Sequence, residues 1–131
     1  MEKEGNGGAD SKWLYLELFI MYLKFDKQDK KLIVYLIGEL DHHSSEEVRV
    51  KIDDRIDRDN INSLIMNFKD VTFMDSSGIG VVIGRFKKLQ GRGGKVCVIE
   101  VNNRVDKVFK LSGLYKIINN YENLEEAIRC I

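Results

Sequence analysis

The hydrophobic pattern switches repeatedly along the chain between a period of two and a spacing of three and four. Leu23 and Phe25 alternate with Lys24 and Asp26, which predicts a strand with one wet face. After the polar corner 26–30, residues 32–37 are apolar on both faces and read as a central strand, paired with the first as a hairpin. The segment 38–43 reads as a loop. Ser44 with Glu47 has capping-box spacing, and Val48, Ile52 and Ile56 give the inner stripe of a helix whose charges, Glu47 with Lys51 and Asp54 with Arg58 among them, make a solvated face. Asp59-Asn60 ends that helix, and Leu64-Ile65-Met66 opens the next buried strand.

That strand runs into the stretch around which the chain is organised, D-V-T-F-M-D-S-S-G-I-G-V-V-I-G at 70–84. The spacing of Ile79, Val82, Ile83, Phe86 and Leu89 predicts a helix buried along that face, with Asp75, Ser76 and Ser77 at its entrance. Hydroxyl and carboxylate side chains are favoured there because the first N–H groups of a helix lack partners. Gly78, Gly80 and Gly84 are harder to place, since each costs roughly 1 kcal/mol relative to Ala in a helix. The wheel puts Gly80, Val81, Gly84, Arg85 and Lys88 on the outer side, where the two glycines form a bare strip leading back to Ser77, suited to a docking partner.

Gly91, Gly93 and Gly94 then make a turn, and 96–99 is another buried strand. Asn102 or Asn103 caps a third helix with Val105, Val108 and Phe109 inward, and Ser112-Gly113 stops it. Residues 116–118 read as a short peripheral strand. Asn123 with Glu126 repeats the capping-box spacing ahead of Leu124, Ala127, Ile128 and Ile131. About five strands interleaved with about four helices predict one α/β domain over 21–131 with a mixed, mostly parallel sheet. Residues 1–20 read as an N-terminal extension, its first 12 residues a flexible tail and the stretch from Trp13 to Ile20 either an added packing element or sequence upstream of the domain's natural start.

Composition narrows the function. Twenty-one basic and 21 acidic residues cancel, which gives no global attraction to nucleic acid or anionic membrane and points to protein partners. The apolar stretch 13–23 is interrupted by Glu17 and is about half the length that spans a bilayer. It has no secretory cleavage pattern either, so the expected location is the cytoplasm. Cys97 and Cys130 have no C-x-x-C pattern, and read as two buried, reduced thiols.

Chemical motifs fail one by one. The third glycine of a G-x-G-x-x-G loop would fall at Ile83, and there is no G-K-[ST], which speaks against a nucleotide cofactor. The serines lack the G-x-S-x-G elbow of a hydrolase, and His42 and His43 precede them in the chain. Those adjacent histidines, in an extended loop, point apart and have no third metal ligand at suitable spacing; a structural or partner-contact role fits them better. Asp41 and Asp75 at one sheet edge could hold Mg²⁺, but capping helix starts is the simpler reading. Neither a serine hydrolase nor a cofactor is expected from these residues. What remains is a helix-entrance serine on an exposed patch, the arrangement of a phosphorylation switch, where about −1.5 to −2 charges would repel a docked partner.

Two segments carry a resemblance. G-E-L-D-H-H at 38–43 and F-M-D-S-S-G-I-G at 73–80 closely resemble the anti-sigma factor antagonists of the STAS family, the second segment being characteristic of the family and the first narrowing it to the sporulation branch; the likeness covers residues 21–131. The resemblance implies partner switching. The unphosphorylated protein binds an anti-sigma factor that is also a serine kinase, frees sigma factor F for forespore transcription, and is inactivated when that kinase, with its own ATP, phosphorylates the second serine of the motif. A PP2C-type phosphatase reverses this. Ser77 matches the phosphoacceptor and Ser76 the preceding serine; Asp41 and Asp75 match acids near the site, and Gly78, Ile79, Gly80 and Val81 the start of the docking helix, with Gly84 added by the strip. The alternatives are a general-stress or stressosome member of the same family, or a nucleotide-binding sensor.

Overall fold

The computed structural model describes residues 21–131; the expectations for residues 1–20, Trp13 included, lie outside the described residues. The elements are β1 (Met21–Gln28), β2 (Lys31–Leu40), α1 (Ser45–Arg58), β3 (Ser63–Met74), α2 (Ser76–Gln90), β4 (Lys95–Ile99), α3 (Asn103–Ser112), a 3₁₀ turn (Leu114–Lys116), β5 (Asn119–Tyr121) and α4 (Leu124–Cys130). The strands lie side by side in chain order. β1 is antiparallel to β2, as the hairpin pattern predicts, and every later pair is parallel.

Side-chain alternation divides the sheet into two faces. Leu32, Val34 and Leu36 of β2, Leu64, Met66 and Phe68 of β3, and Val96 and Val98 of β4 belong to the larger core, with Val48, Ile52 and Ile56 of α1, Val82 and Leu89 of α2, and Val105 and Phe109 of α3. Ile33, Ile65, Cys97 and Ile99 point the other way and pack with Ala127 of α4. Both faces of the central strands are therefore buried, which explains their continuous apolar runs.

Several local expectations are corrected. Residues 38–40 belong to β2 and not to a loop: Gly38 (φ 114°) kinks the strand, but the ladder resumes with Glu39 opposite Phe73 and Leu40 opposite Met74. Residues 116–118 form no strand. Gly113, left-handed at φ 77°, ends α3, and the chain closes a 3₁₀ turn before pairing at Asn119 to Tyr121. Arg58 turns to Asp59 instead of Asp54. Cys130 is exposed, because it falls in the last turn of a short helix; only Cys97 is buried. Gly94 is required by packing: a Cβ there would lie 1.7 Å from the Asn62 carbonyl oxygen.

β3 is the strand that positions the site. It extends well past the end of β4, where pairing stops at Asn67 opposite Ile99. Register shifts against β2 on either side of 37–38 mark bulges, which bend a strand and re-aim its far end. Asn67 Oδ1 accepts from Lys69 N at 2.9 Å within the bulge. The free edge beyond β4 is held by side chains: Asn102 Nδ2 donates to the carbonyls of Phe68 (3.0 Å), Lys69 (3.1 Å) and Val71 (2.8 Å), and Arg104 donates to Thr72 O at 2.6 Å. These bonds anchor the strand end that leads directly into Asp75.

Candidate functional site

Leu40 and Met74 are register partners, and Asp75 N donates to Leu40 O at 3.3 Å. Asp41 and Asp75 thus leave the sheet side by side, each at the start of a helix. Asp75 is extended (φ −119°, ψ −169°), and its Oδ1 accepts from Ser77 N at 2.8 Å while its carbonyl accepts from Gly78 N at 3.0 Å. This is the capping predicted for it. Asp41 Oδ1 accepts from His43 N (2.9 Å) and Ser44 N (3.1 Å), and Asp41 O accepts from Ser45 N at 2.9 Å.

The capping box at Ser44 and Glu47 does not form. Ser44 adopts a helical conformation, and its hydroxyl turns back to donate to Glu39 O at 2.8 Å and accept from Asp41 N at 3.1 Å. Asp41 has taken the capping role three residues upstream, so the two acids each order a turn at a helix start. His42 and His43 do not point apart: the residues form a turn, both are exposed, and their ring centroids are 3.9 Å apart. Among the described residues no group of three or more His, Cys, Asp or Glu side chains is arranged to hold a metal.

The hydroxyl-bearing corner is open. Ser76 is exposed and Ser77 half-buried, Gly80 is exposed and Gly84 half-buried. A Cβ built on Gly80 or Gly84 meets nothing within 4 Å, so the bare strip exists. Gly78 and Ile79 are buried, Gly78 so tightly that a Cβ would stand 2.8 Å from Met74 and 3.1 Å from Leu40. They support the surface from beneath.

The outer side of α2 is not wholly outer, because α1 packs along it. Val81 and Arg85, expected outside, are 4% and 5% exposed. Arg85 Nε lies 2.8 Å from Asp53 Oδ1, and a second guanidinium nitrogen donates to Val81 O at 3.4 Å. Burial pushes the Arg85 guanidinium below its ordinary range, opposed by the Asp53 charge. Arg49 continues the network, contacting Asp53 at 3.5 Å and pairing with Glu46; the Arg49 partner holds the Glu46 carboxyl below the usual carboxylate range. Between the first turns of α1 and α2 is a shallow cleft of about 270 Å³ lined by Ser45, Glu46, Arg49, Ser77, Gly80 and Val81. Sequence reasoning missed Arg49 and Asn102's hold on β3, since both depend on contacts between elements.

Comparison with known proteins fits this architecture. The STAS domain profile matches residues 22–127, and the anti-sigma F factor antagonist of Paenibacillus polymyxa is 43% identical over 97 residues, 74% of this chain and 83% of the relative. The chain belongs to the STAS family of anti-sigma factor antagonists. The unphosphorylated anti-sigma factor antagonist SpoIIAA is 35% identical to this STAS protein, with a TM-score of 0.72 over 84% of this chain and 98% of that one. The phosphorylated form of SpoIIAA, from Bacillus, gives 34% identity and a TM-score of 0.65 over 82% and 97%. Among the described residues of this STAS domain no helix is long and apolar enough to cross a membrane.

Proposed function

We propose that this STAS protein is the antagonist of an anti-sigma F factor with serine kinase activity, and that phosphorylation of Ser77 is its off-switch. Acting in the cytoplasm and catalysing nothing itself, the unphosphorylated form binds the kinase through Ser76, Ser77, Gly80 and Gly84, with Asp41 and Asp75 fixing the two helix starts and Gly78, Ile79 and Val81 backing them, and so frees sigma factor F for forespore transcription. The observation that carries this reading is the combination at one corner: an accessible serine in the first turn of α2, followed by a strip with no Cβ to hold a partner away.

In the switching step Ser77 Oγ forms a bond to the γ-phosphorus of the kinase's ATP, the bond to the bridging oxygen breaks, ADP leaves, and the hydroxyl proton passes to a base on the kinase. The new dianion stands beside Asp75, and a partner surface that accepted a neutral hydroxyl now meets concentrated negative charge. A PP2C-type phosphatase hydrolyses the ester and restores the binding form.

Mass spectrometry after incubation with the anti-sigma F kinase and ATP tests the assignment. One phosphate on the wild-type chain and none on Ser77→Ala is the expected result; a phosphate retained by Ser77→Ala would overturn it. Ser77→Ala should still bind the kinase, whereas Ser77→Asp should not.

A further inference from the structure

Two of the backbone N–H groups nearest the phosphate proposed for Ser77 are already engaged. Ser77 N is already bonded to Asp75 Oδ1 at 2.8 Å and Gly78 N to Asp75 O at 3.0 Å, and the Asp75 carboxylate repels an added anion. The cleft offers a full positive charge on its other side. Arg49 of α1 lines the same cleft as Ser77, while Arg85, deeper in α2, is buried against Asp53.

Arg49 has a partner that solvent can reach. Two guanidinium nitrogens donate to the two carboxylate oxygens of Glu46, but the pair lies at the surface, with Arg49 43% and Glu46 74% exposed in their side chains, and the contact with Asp53 is long at 3.5 Å. Water and salt screen even a forked pair at the surface, so Glu46 can be displaced into solvent by a stronger anion. A phosphate dianion competes well for a guanidinium because it accepts two parallel N–H bonds and carries more charge than a carboxylate. Gly80 leaves the floor of the cleft open for it.

We infer that Arg49 is a phosphoserine clamp: resting on the proposed switch at Ser77, it exchanges Glu46 for the phosphate and ties the start of α2 to α1 in the inactive form. The charged and titratable groups on the elements around the phosphate are then Arg49 and Glu46 from α1, Asp75 from the α2 cap, Asp41, His42 and His43 from the adjoining turn, and the Asp53–Arg85 pair behind Arg49. Glu46 is the competitor, so its charge sets how completely the clamp closes.

The test uses the full chain with phosphoserine placed at position 77 during translation, followed by ³¹P NMR titration of its second ionisation. In the otherwise wild-type chain the phosphoserine should titrate at least about half a unit lower than in Arg49→Gln. Arg49→Lys should recover part of the shift, and Glu46→Gln should deepen it. Identical midpoints in wild type and Arg49→Gln, with both chains folded by circular dichroism, would overturn the clamp. The phosphate is installed without a kinase, so this outcome is separate from failure of the proposed function, which the kinase assay on Ser77→Ala decides.

Discussion

Gly78 and Gly80 stand two positions apart in α2 and should answer substitution in opposite directions. Gly78 faces Met74 and Leu40, and any Cβ must displace them; Gly78→Val is expected to destabilise by about 1–3 kcal/mol through overpacking. Gly80→Ala meets nothing and gains helix propensity, so it should stabilise by up to about 1 kcal/mol. Urea denaturation of both variants checks the pair. Gly80→Glu should keep the fold while weakening kinase binding, because it plants a charged side chain on the proposed contact strip. Spacing alone identified a run of glycines that needed a reason, and it could not separate these two. The difference lies in whether β2 and β3 send side chains underneath, and that is a property of the folded sheet.

Between elements, the Asn102 side chain acts at both ends of its amide. Its oxygen caps α3 by accepting from Val105 N at 3.0 Å, while its nitrogen holds three carbonyls of β3. The cap was legible because it spans three residues; the brace was not, because its partners lie 31 to 34 positions away. Asn102→Ala removes both and should cost about 2–3 kcal/mol in chemical denaturation. Asn102→Asp retains an acceptor for the cap but sets a carboxylate against those carbonyls, so it should also destabilise. The same limit applies to α1 and α2. Read singly, each shows a charged outer face; packed together, they bury Arg85 against Asp53. Arg85→Ala should therefore destabilise by about 2–3 kcal/mol, at or just below the range for breaking a buried pair, because the Asp53 side chain keeps 19% exposure.

Across the whole molecule, the opening hairpin, the mixed sheet and the doubly buried central strand were legible because periods of two and of three-to-four changed at most element boundaries, and the exceptions were the kinked end of β2 and the 3₁₀ turn, where single glycines redirect the chain; the strand order itself emerged only in the folded sheet. Acid stability draws on pairs distributed over the surface. The Tyr115 hydroxyl, 2.6 Å away, followed by Lys110, holds the Asp106 carboxyl below its usual range. That stabilisation is complete above the ordinary carboxylate range near pH 4 and is lost as pH falls through the depressed value. Tyr115→Phe should accordingly be less stable than wild type at pH 7, with the gap closing as pH falls through the depressed carboxyl value.

The cysteines give a second global readout. Burial pushes the Cys97 thiol up to about 12, so a thiol reagent should modify Cys130 promptly and Cys97 only as the domain opens. The proposed switch itself is most directly tested by titrating the anti-sigma F kinase with the unmodified chain and with the chain phosphorylated at Ser77. A loss of affinity of about a hundredfold or more on phosphorylation is the result expected from like charge placed in a contact surface. Equal affinity of the two forms would contradict it.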